Sequence, residues 1–160
     1  MAIRKIRYIG DECLKKVCKP VTKMTPATVE LIEDMFDTMY EARGVGLAAP
    51  QVGILRRICV IDVMDEDPFV LINPRILETS GEQTDEEGCL SVPGKVAEGT
   101  RADYVKVSSL DMDMNEVIYE GEGLRARAIL HEMDHLDGIL YGERASEPYR
   151  DLEEEEDWEE

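Results

Sequence analysis

The chain has 160 residues and a formal net charge of −18. A chain of that length makes one domain able to bury about two thirds of the surface it would expose unfolded. It holds no apolar run of 18 residues, which excludes a membrane-spanning helix, and so strong a negative charge is unsuited to grasping a phosphate backbone, so no direct DNA or RNA binding and no membrane association is expected.

The opening stretch, MAIRKIRYIGDECL, has basic residues but no apolar segment followed by a small-residue cleavage site. It does not read as a secretory signal. The expected location is therefore the cytoplasm, with Cys13, Cys18, Cys59 and Cys89 as thiols. Cys13 and Cys18 are expected to fill space in an N-terminal arm.

A helix follows, with Thr25 as N-cap, Pro26 in its first turn, and Leu31, Ile32, Met35, Phe36 and Met39 at helical spacing. Gly44 is its expected C-cap. Residues 44–53, GVGLAAPQVG, place three glycines and a proline in ten residues, which implies irregular, close-packed backbone. The segment lacks the Lys-Ser/Thr of a phosphate loop. RRICVIDV at 56–63 and FVLINP at 69–74 read as strands. Residues 75–103 are polar and punctuated by Gly and Pro, and no element is assigned to them. Residues 104–110 and 116–120 form a hairpin turning near Asp113 to Asn115. A last helix runs from near Glu122 to Asp137 and stops at Gly138.

The expected fold is α+β: small mixed or antiparallel sheets packed around a buried C-terminal metal-binding helix, with a second long helix near the N-terminus. Residues 1–146 are expected to form a single domain. Residues 147–160, EPYRDLEEEEDWEE, carry nine acids and one base and read as a disordered, solubilising tail in which Trp158 is exposed.

HEMDH at 131–135 is the sharpest chemical signal. Histidines at i and i+4 lie about 40° apart around a helix, so both rings reach one cation. Glu132 lies roughly 60° from His135, placed to meet a water at the cation without binding the cation itself. This is the HExxH arrangement of a metallohydrolase. The competing reading is a pair of core histidines extending an apolar face that includes Leu124 and Ala128. Since His131 and His135 are the only histidines, a third ligand must be Cys, Asp or Glu. Glu143 and Glu147 lie downstream, and Cys59 sits in a strand. Cys89, between glycines in EGCLSVPG at 87–94, is the preferred ligand because a thiolate binds borderline metals strongly. Three protein ligands leave one tetrahedral position open, the mark of a catalytic site.

GVGLAAPQVG, EGCLSVPG and HEMDHLDG together resemble the peptide deformylase family, in which GxGxAAxQ, EGCLS and HExDH segments occur in this order. The opening stretch, the helix ending DTMYEARG and INPRIL at 72–77 are similar to the family as well, so the resemblance spans about residues 1–145. It implies Cys89, His131 and His135 as metal ligands and Glu132 as general base and acid. It implies Gln51 and the Leu90 N–H as oxyanion donors, and Gly46 as the backbone met by the substrate strand. Val45, Leu90 and the face of the metal helix would line a methionine pocket. The implied cofactor is one Fe(II), with zinc, nickel or cobalt as substitutes. The implied reaction removes formyl from the formyl-methionine of new polypeptides, by a monomer working in transient proximity to the ribosome. A thiolate on Fe(II) implies inactivation in air. The sequence departs from the family at Glu12, where proline is usual, at Leu130, where many members have Gln, and at Val96, where some have Arg. The quick passage into acids after Tyr149 argues against a long C-terminal helix and against ribosome docking through this end. An HExxH peptidase cleaving internal bonds, and a non-catalytic metal-stabilised binding module, are the alternatives.

Overall fold

The computed structural model describes residues 2–64, 66–143, 145 and 149–151. Two α-helices, α1 (Pro26–Glu41) and α2 (Leu124–Leu136), accompany eight strands. These are β1 (Gly46–Ala48), β2 (Ile58–Ile61), β3 (Phe69–Ser80), β4 (Gln83–Cys89), β5 (Val92–Arg101), β6 (Tyr104–Leu110), β7 (Glu116–Glu122) and β8 (Arg150–Asp151). One sheet has the order β1-β2-β3-β6-β7 and a second the order β4-β5-β8, with every pair antiparallel. The fold is α+β, with one helix near each end of the chain.

The unbroken apolar run of β2 follows from its position between the two helices. Side chains alternate across a strand, so Ile58 and Val60 point into the cluster beneath α1, with Leu31, Ile32, Met35 and Met39. Cys59 and Ile61 point the other way, into the cluster beneath α2 with Ala126, Ala128, Ile129 and Met133. β3 repeats this, Val70 and Ile72 facing α1, and Phe69 and Leu71 facing α2. A sheet covered on both faces reads as continuous hydrophobicity.

Thr25 caps α1, its hydroxyl accepting the Thr28 N–H at 3.2 Å. The helix does not end at Gly44 as expected. Ala42 is its cap, Arg43 takes the left-handed conformation at φ 60°, and the Gly44 N–H donates to the Met39 carbonyl at 2.9 Å. The last helix starts at Leu124, and Leu124 itself is exposed. The buried stripe before His131 is thus built from Ala128 and Arg127, rather than from Leu124. Leu130 packs against the edge of the α2 cluster, an apolar role that suits a non-polar residue there.

The segment 75–103 is not irregular. β3 runs on to Ser80, and β4 and β5 form a long hairpin. Its pattern hid it, because β3 beyond Pro74 and most of β4 face solvent and carry no apolar alternation. Pro93 and Gly94 fall where the hairpin register breaks, between the pairs Cys89–Val92 and Gly88–Val96, a place that tolerates both residues. The left-handed Asn73 (φ 50°) marks a bulge in β3, and its amide bonds both the N–H and the carbonyl of Val21 at 2.8 Å. That fixes the end of the N-terminal arm. The arm is tied further by Arg7 N–H to the Gln51 carbonyl at 2.7 Å and Ile9 N–H to the Ser91 carbonyl at 2.8 Å. Cys18 is buried within it, and the Cys13 thiol donates to the Pro50 carbonyl at 3.4 Å.

Part of the segment read as a tail is a strand, β8. Arg150 and Asp151 pair with Val96 and Lys95 of β5, and the Tyr149 ring meets Tyr141 at 4.9 Å. Backbone pairing and an aromatic contact outweigh the local acidity here. Glu147, Trp158 and the run of acids beyond Asp151 lie outside the described residues. Among the described residues beyond α2, the helical element is a short 3-10 turn, Tyr141–Glu143.

Candidate metal centre

α2 carries His131 and His135 one turn apart, both buried. Their Nε2 atoms lie 3.3 Å from each other, and Cys89 Sγ lies 3.3 Å from His135 Nε2. The three ligand atoms all fall within 4.8 Å of one another. Cys89 reaches this point from the last residue of β4, where the hairpin turns back. Among the described residues, the other candidates Cys59 and Glu143 are not part of this cluster. Cys59 is fully buried on β2, and burial first of all holds its thiol well above the ordinary value. Glu143 is exposed in the 3-10 turn. Cys18 is pushed up to about 11 by burial, which suits an inert space-filling thiol.

The core-histidine reading fails on the direction of the nitrogens. His131 Nδ1 is 2.5 Å from Glu87 Oε1, which fixes the proton on Nδ1 and turns the Nε2 lone pair inward. That lone pair meets a second imidazole nitrogen at 3.3 Å and the Cys89 sulfur close by, and His135 Nδ1 has no hydrogen-bond partner among the described residues. Two borderline nitrogens and one soft sulfur converging on a point form a donor set for a transition-metal cation. The residues present fit the metal that the HExxH pattern implies.

Glu87 was given no role in the sequence, yet it organises the centre. Its buried carboxylate also accepts from Arg101 Nε at 2.9 Å, Arg101 Nη2 at 2.7 Å and Arg127 Nη1 at 2.5 Å. Burial opposes its charge, but His131 and Arg101 outweigh this and hold the carboxyl well below the usual range. Arg101 donates in turn to Asp134 at 3.0 Å, and Arg127 Nε to Gln83 Oε1 at 3.1 Å. A signal existed. Arg127, His131 and Asp134 follow i, i+4, i+7 spacing, so one helical stripe is polar where a core helix would be apolar.

Glu132 is buried beside the cluster, with Oε2 at 4.0 Å from His131 Nε2 and Oε1 without a hydrogen-bond partner among the described residues. Burial pushes its carboxyl up to about 7. Gly46 makes room for it, since a Cβ at that position would stand 2.6 Å from Glu132 Oε2. Gln51 is buried in the short 3-10 helix after β1. Its carbonyl oxygen accepts the Ala48 N–H at 2.9 Å, which aims the amide nitrogen at Ser91 Oγ, 3.0 Å away, and toward Cys89 Sγ at 3.5 Å. A cavity of about 530 Å³ opens over these groups, lined by Val45, Gly46, Gln51, Cys89, Leu90 and Glu132 among others. Val45 is partly exposed at its mouth, and Ala128 contributes an apolar wall from α2. Val96, where some relatives carry Arg, is buried in the wall formed by β5. Of the residues expected from the sequence, Val45, Gly46, Gln51, Cys89, Leu90, His131 and Glu132 line this cavity, and His135 Nε2 lies 3.3 Å from His131 Nε2 and from Cys89 Sγ.

The family described as polypeptide deformylase matches residues 3–151. A peptide deformylase of Agathobacter rectalis is 60% identical over 152 residues, 95% of this chain and 96% of that one. Peptide deformylase 1 of Clostridium acetobutylicum is 55% identical over 147 residues, 92% of this chain and 97% of that one. The crystal structure of peptide deformylase from Thermotoga maritima superposes with a TM-score of 0.87 at 44% identity, covering 91% of this chain and 99% of the other. The deformylase of Synechococcus elongatus in complex with actinonin gives 0.85 at 41% identity, covering 88% and 79%.

Proposed function

The chain belongs to the polypeptide deformylase family, and from that premise we propose that it hydrolyses the N-formyl group of formyl-methionine at the start of new polypeptides, releasing formate. The observation that carries this is the convergence of Cys89, His131 and His135 beside a buried carboxylate oxygen of Glu132 that has no hydrogen-bond partner among the described residues. A divalent cation held by the three ligands supplies Lewis acidity toward water and toward the formyl oxygen.

Glu132 takes the proton of the attacking water, a task suited to a carboxyl raised to about 7 by burial. The Gln51 amide, locked by Ala48 and Ser91, donates to the formyl oxygen as it gains negative charge, together with the Leu90 N–H. A pre-aimed donor of this kind contributes about 3–4 kcal/mol to the transition state. Glu132 then returns its proton to the leaving amine, and a free N-terminus results. Gly46 offers backbone to the substrate strand. Val45, Leu90 and Ala128 give the methionine side chain an apolar wall, and the narrow space between Gly46 and Glu132 favours formyl over larger acyl groups.

Fe(II) is the cation we assign, with zinc, nickel or cobalt as substitutes, because one thiolate and two imidazoles suit all four. We place the enzyme in the cytoplasm as a monomer, meeting its substrates near the ribosome. The free thiols support the location, and among the described residues no helix is long and apolar enough to cross a membrane. Residues 1–146 are the catalytic domain in this reading, supplemented by β8.

The test is formate release from formyl-Met-Ala-Ser by anaerobically purified, Fe(II)-loaded protein, with Glu132→Gln as control. Release abolished by the substitution is expected. A folded, iron-loaded protein that releases no formate would overturn the assignment.

A further inference from the structure

Besides Glu87 and Glu132, four charged residues with distinct environments line the cleft: Arg43, Glu86, Lys95 and Arg127. On the hairpin side, Glu86 pairs with Arg150 and Lys95 pairs with Asp151 at 2.5 Å. The short strand β8 thereby neutralises both charges of that lip. Deeper in, Arg127 is consumed by Glu87. On the opposite lip stands Arg43, exposed, with its backbone N–H bonded to the Tyr40 carbonyl and its guanidinium engaged by no described residue. Arg43 also lines the cavity. It holds φ 60° where α1 hands over to β1, so its backbone is fixed by the helix end and does not float with a loop.

The chain direction tells what Arg43 faces. Gly46 lies against Glu132, where the bond to be broken must sit. From Gly46 the backbone leaves the cleft through Val45 and Gly44 to Arg43, a reach of at most about 10 Å at extended spacing. A peptide with its formyl end at Glu132 leaves by the same route, one residue per about 3.3 Å. Its second and third residues therefore come level with Arg43.

Resting on the deformylase reading, we propose that Arg43 is a specificity residue that favours an acidic side chain at the second or third position of the formylated peptide. It offsets locally the repulsion such peptides meet from a chain of net charge −18. The interaction is an exposed ion pair and is accordingly modest, a factor of about 2 to 5 in kcat/KM, and it fades as salt screens it.

The test compares formyl-Met-Asp-Asp-amide with the near-isosteric formyl-Met-Asn-Asn-amide. The amidated end removes the competing terminal carboxylate. The readout is the ratio of the two kcat/KM values, acidic over neutral, so a general effect on turnover cancels. Arg43→Asn is chosen because Asn tolerates the left-handed conformation, Arg43→Lys keeps the charge and Arg43→Glu reverses it. The expected ratio falls about 2- to 5-fold in Arg43→Asn, falls further in Arg43→Glu, is largely retained in Arg43→Lys, and converges among all four proteins at high salt. A ratio that is the same in wild type, Arg43→Asn and Arg43→Glu at low salt overturns the proposal while leaving the deformylase activity standing. Failure of the wild-type protein to process the neutral peptide would instead remove the reading on which the proposal rests, and the proposal with it.

Discussion

Replacing Glu87 by Gln tests the centre through a residue outside the metal cluster. The substitution keeps the shape and removes one buried negative charge among Arg101, Arg127 and His131. Breaking a buried ion pair costs about 3–5 kcal/mol. Arg101 retains Asp134 at 3.0 Å, and Arg127 retains Gln83 at 3.1 Å and the Gly99 carbonyl at 3.1 Å. The cost therefore belongs at the lower end, about 3 kcal/mol, which lowers the midpoint of a domain this size by roughly 6–12 °C. Thermal unfolding of the metal-free protein measures this without the added stability that a bound ion confers. His131 keeps at best a neutral amide oxygen in place of the charged acceptor that fixes its tautomer and raises its basicity, so metal affinity falls about 10- to 100-fold, measurable by competition with a chelator. The pH dependence has a definite sign. Glu87 is depressed when folded, so its stabilisation is fully present above the ordinary Glu value of about 4.3 and is lost as pH falls toward the folded value. The gap between wild type and variant should hold at neutral pH and narrow below about pH 4. An unchanged midpoint together with unchanged metal affinity would refute the organising role assigned to Glu87.

Gly46→Ala drives a methyl group to within 2.6 Å of Glu132 Oε2; displacing the base by an ångström should cut kcat about 100-fold while metal stoichiometry stays at one, and unaltered kcat would show that Glu132 need not sit there. Cobalt-loaded protein should show a sulfur-to-metal charge-transfer band that vanishes in Cys89→Ser and survives in Cys59→Ala; the reverse pattern would move the ligand to β2. The iron-loaded enzyme should lose activity in air, with oxidation mapped to Cys89 rather than to the buried Cys18 and Cys59; full activity after days of aeration would contradict an iron–thiolate centre.

The metal helix was legible because its information is local. Two histidines four residues apart share a face on any helix, and Thr25 with Pro26 announces a helix start wherever it occurs. The β4–β5 hairpin was not legible, since β4 faces solvent at most positions and the buried positions of β5 include Gly99 and Arg101, so neither strand shows the apolar alternation that betrays a strand. The fate of residues 149–151 was hidden for a similar reason: acidity argues for disorder, and only the free edge of β5 and the ring of Tyr141 supply the opposing force.

By itself the sequence determined the chemistry on offer: two imidazoles, one base between them, and a thiol in a tight turn. It preferred Cys89 but left Cys59 as a rival, because the two differ in chain position and not in kind. The tertiary structure decided that by turning the hairpin end 3.3 Å from His135 and sealing Cys59 beneath the sheet. It also recruited Glu87, whose value is purely relational. A carboxylate worth little on a surface becomes an organiser when folding buries it among two guanidiniums and an imidazole, and that neighbourhood is assembled from β4, β5 and α2, segments far apart in the chain.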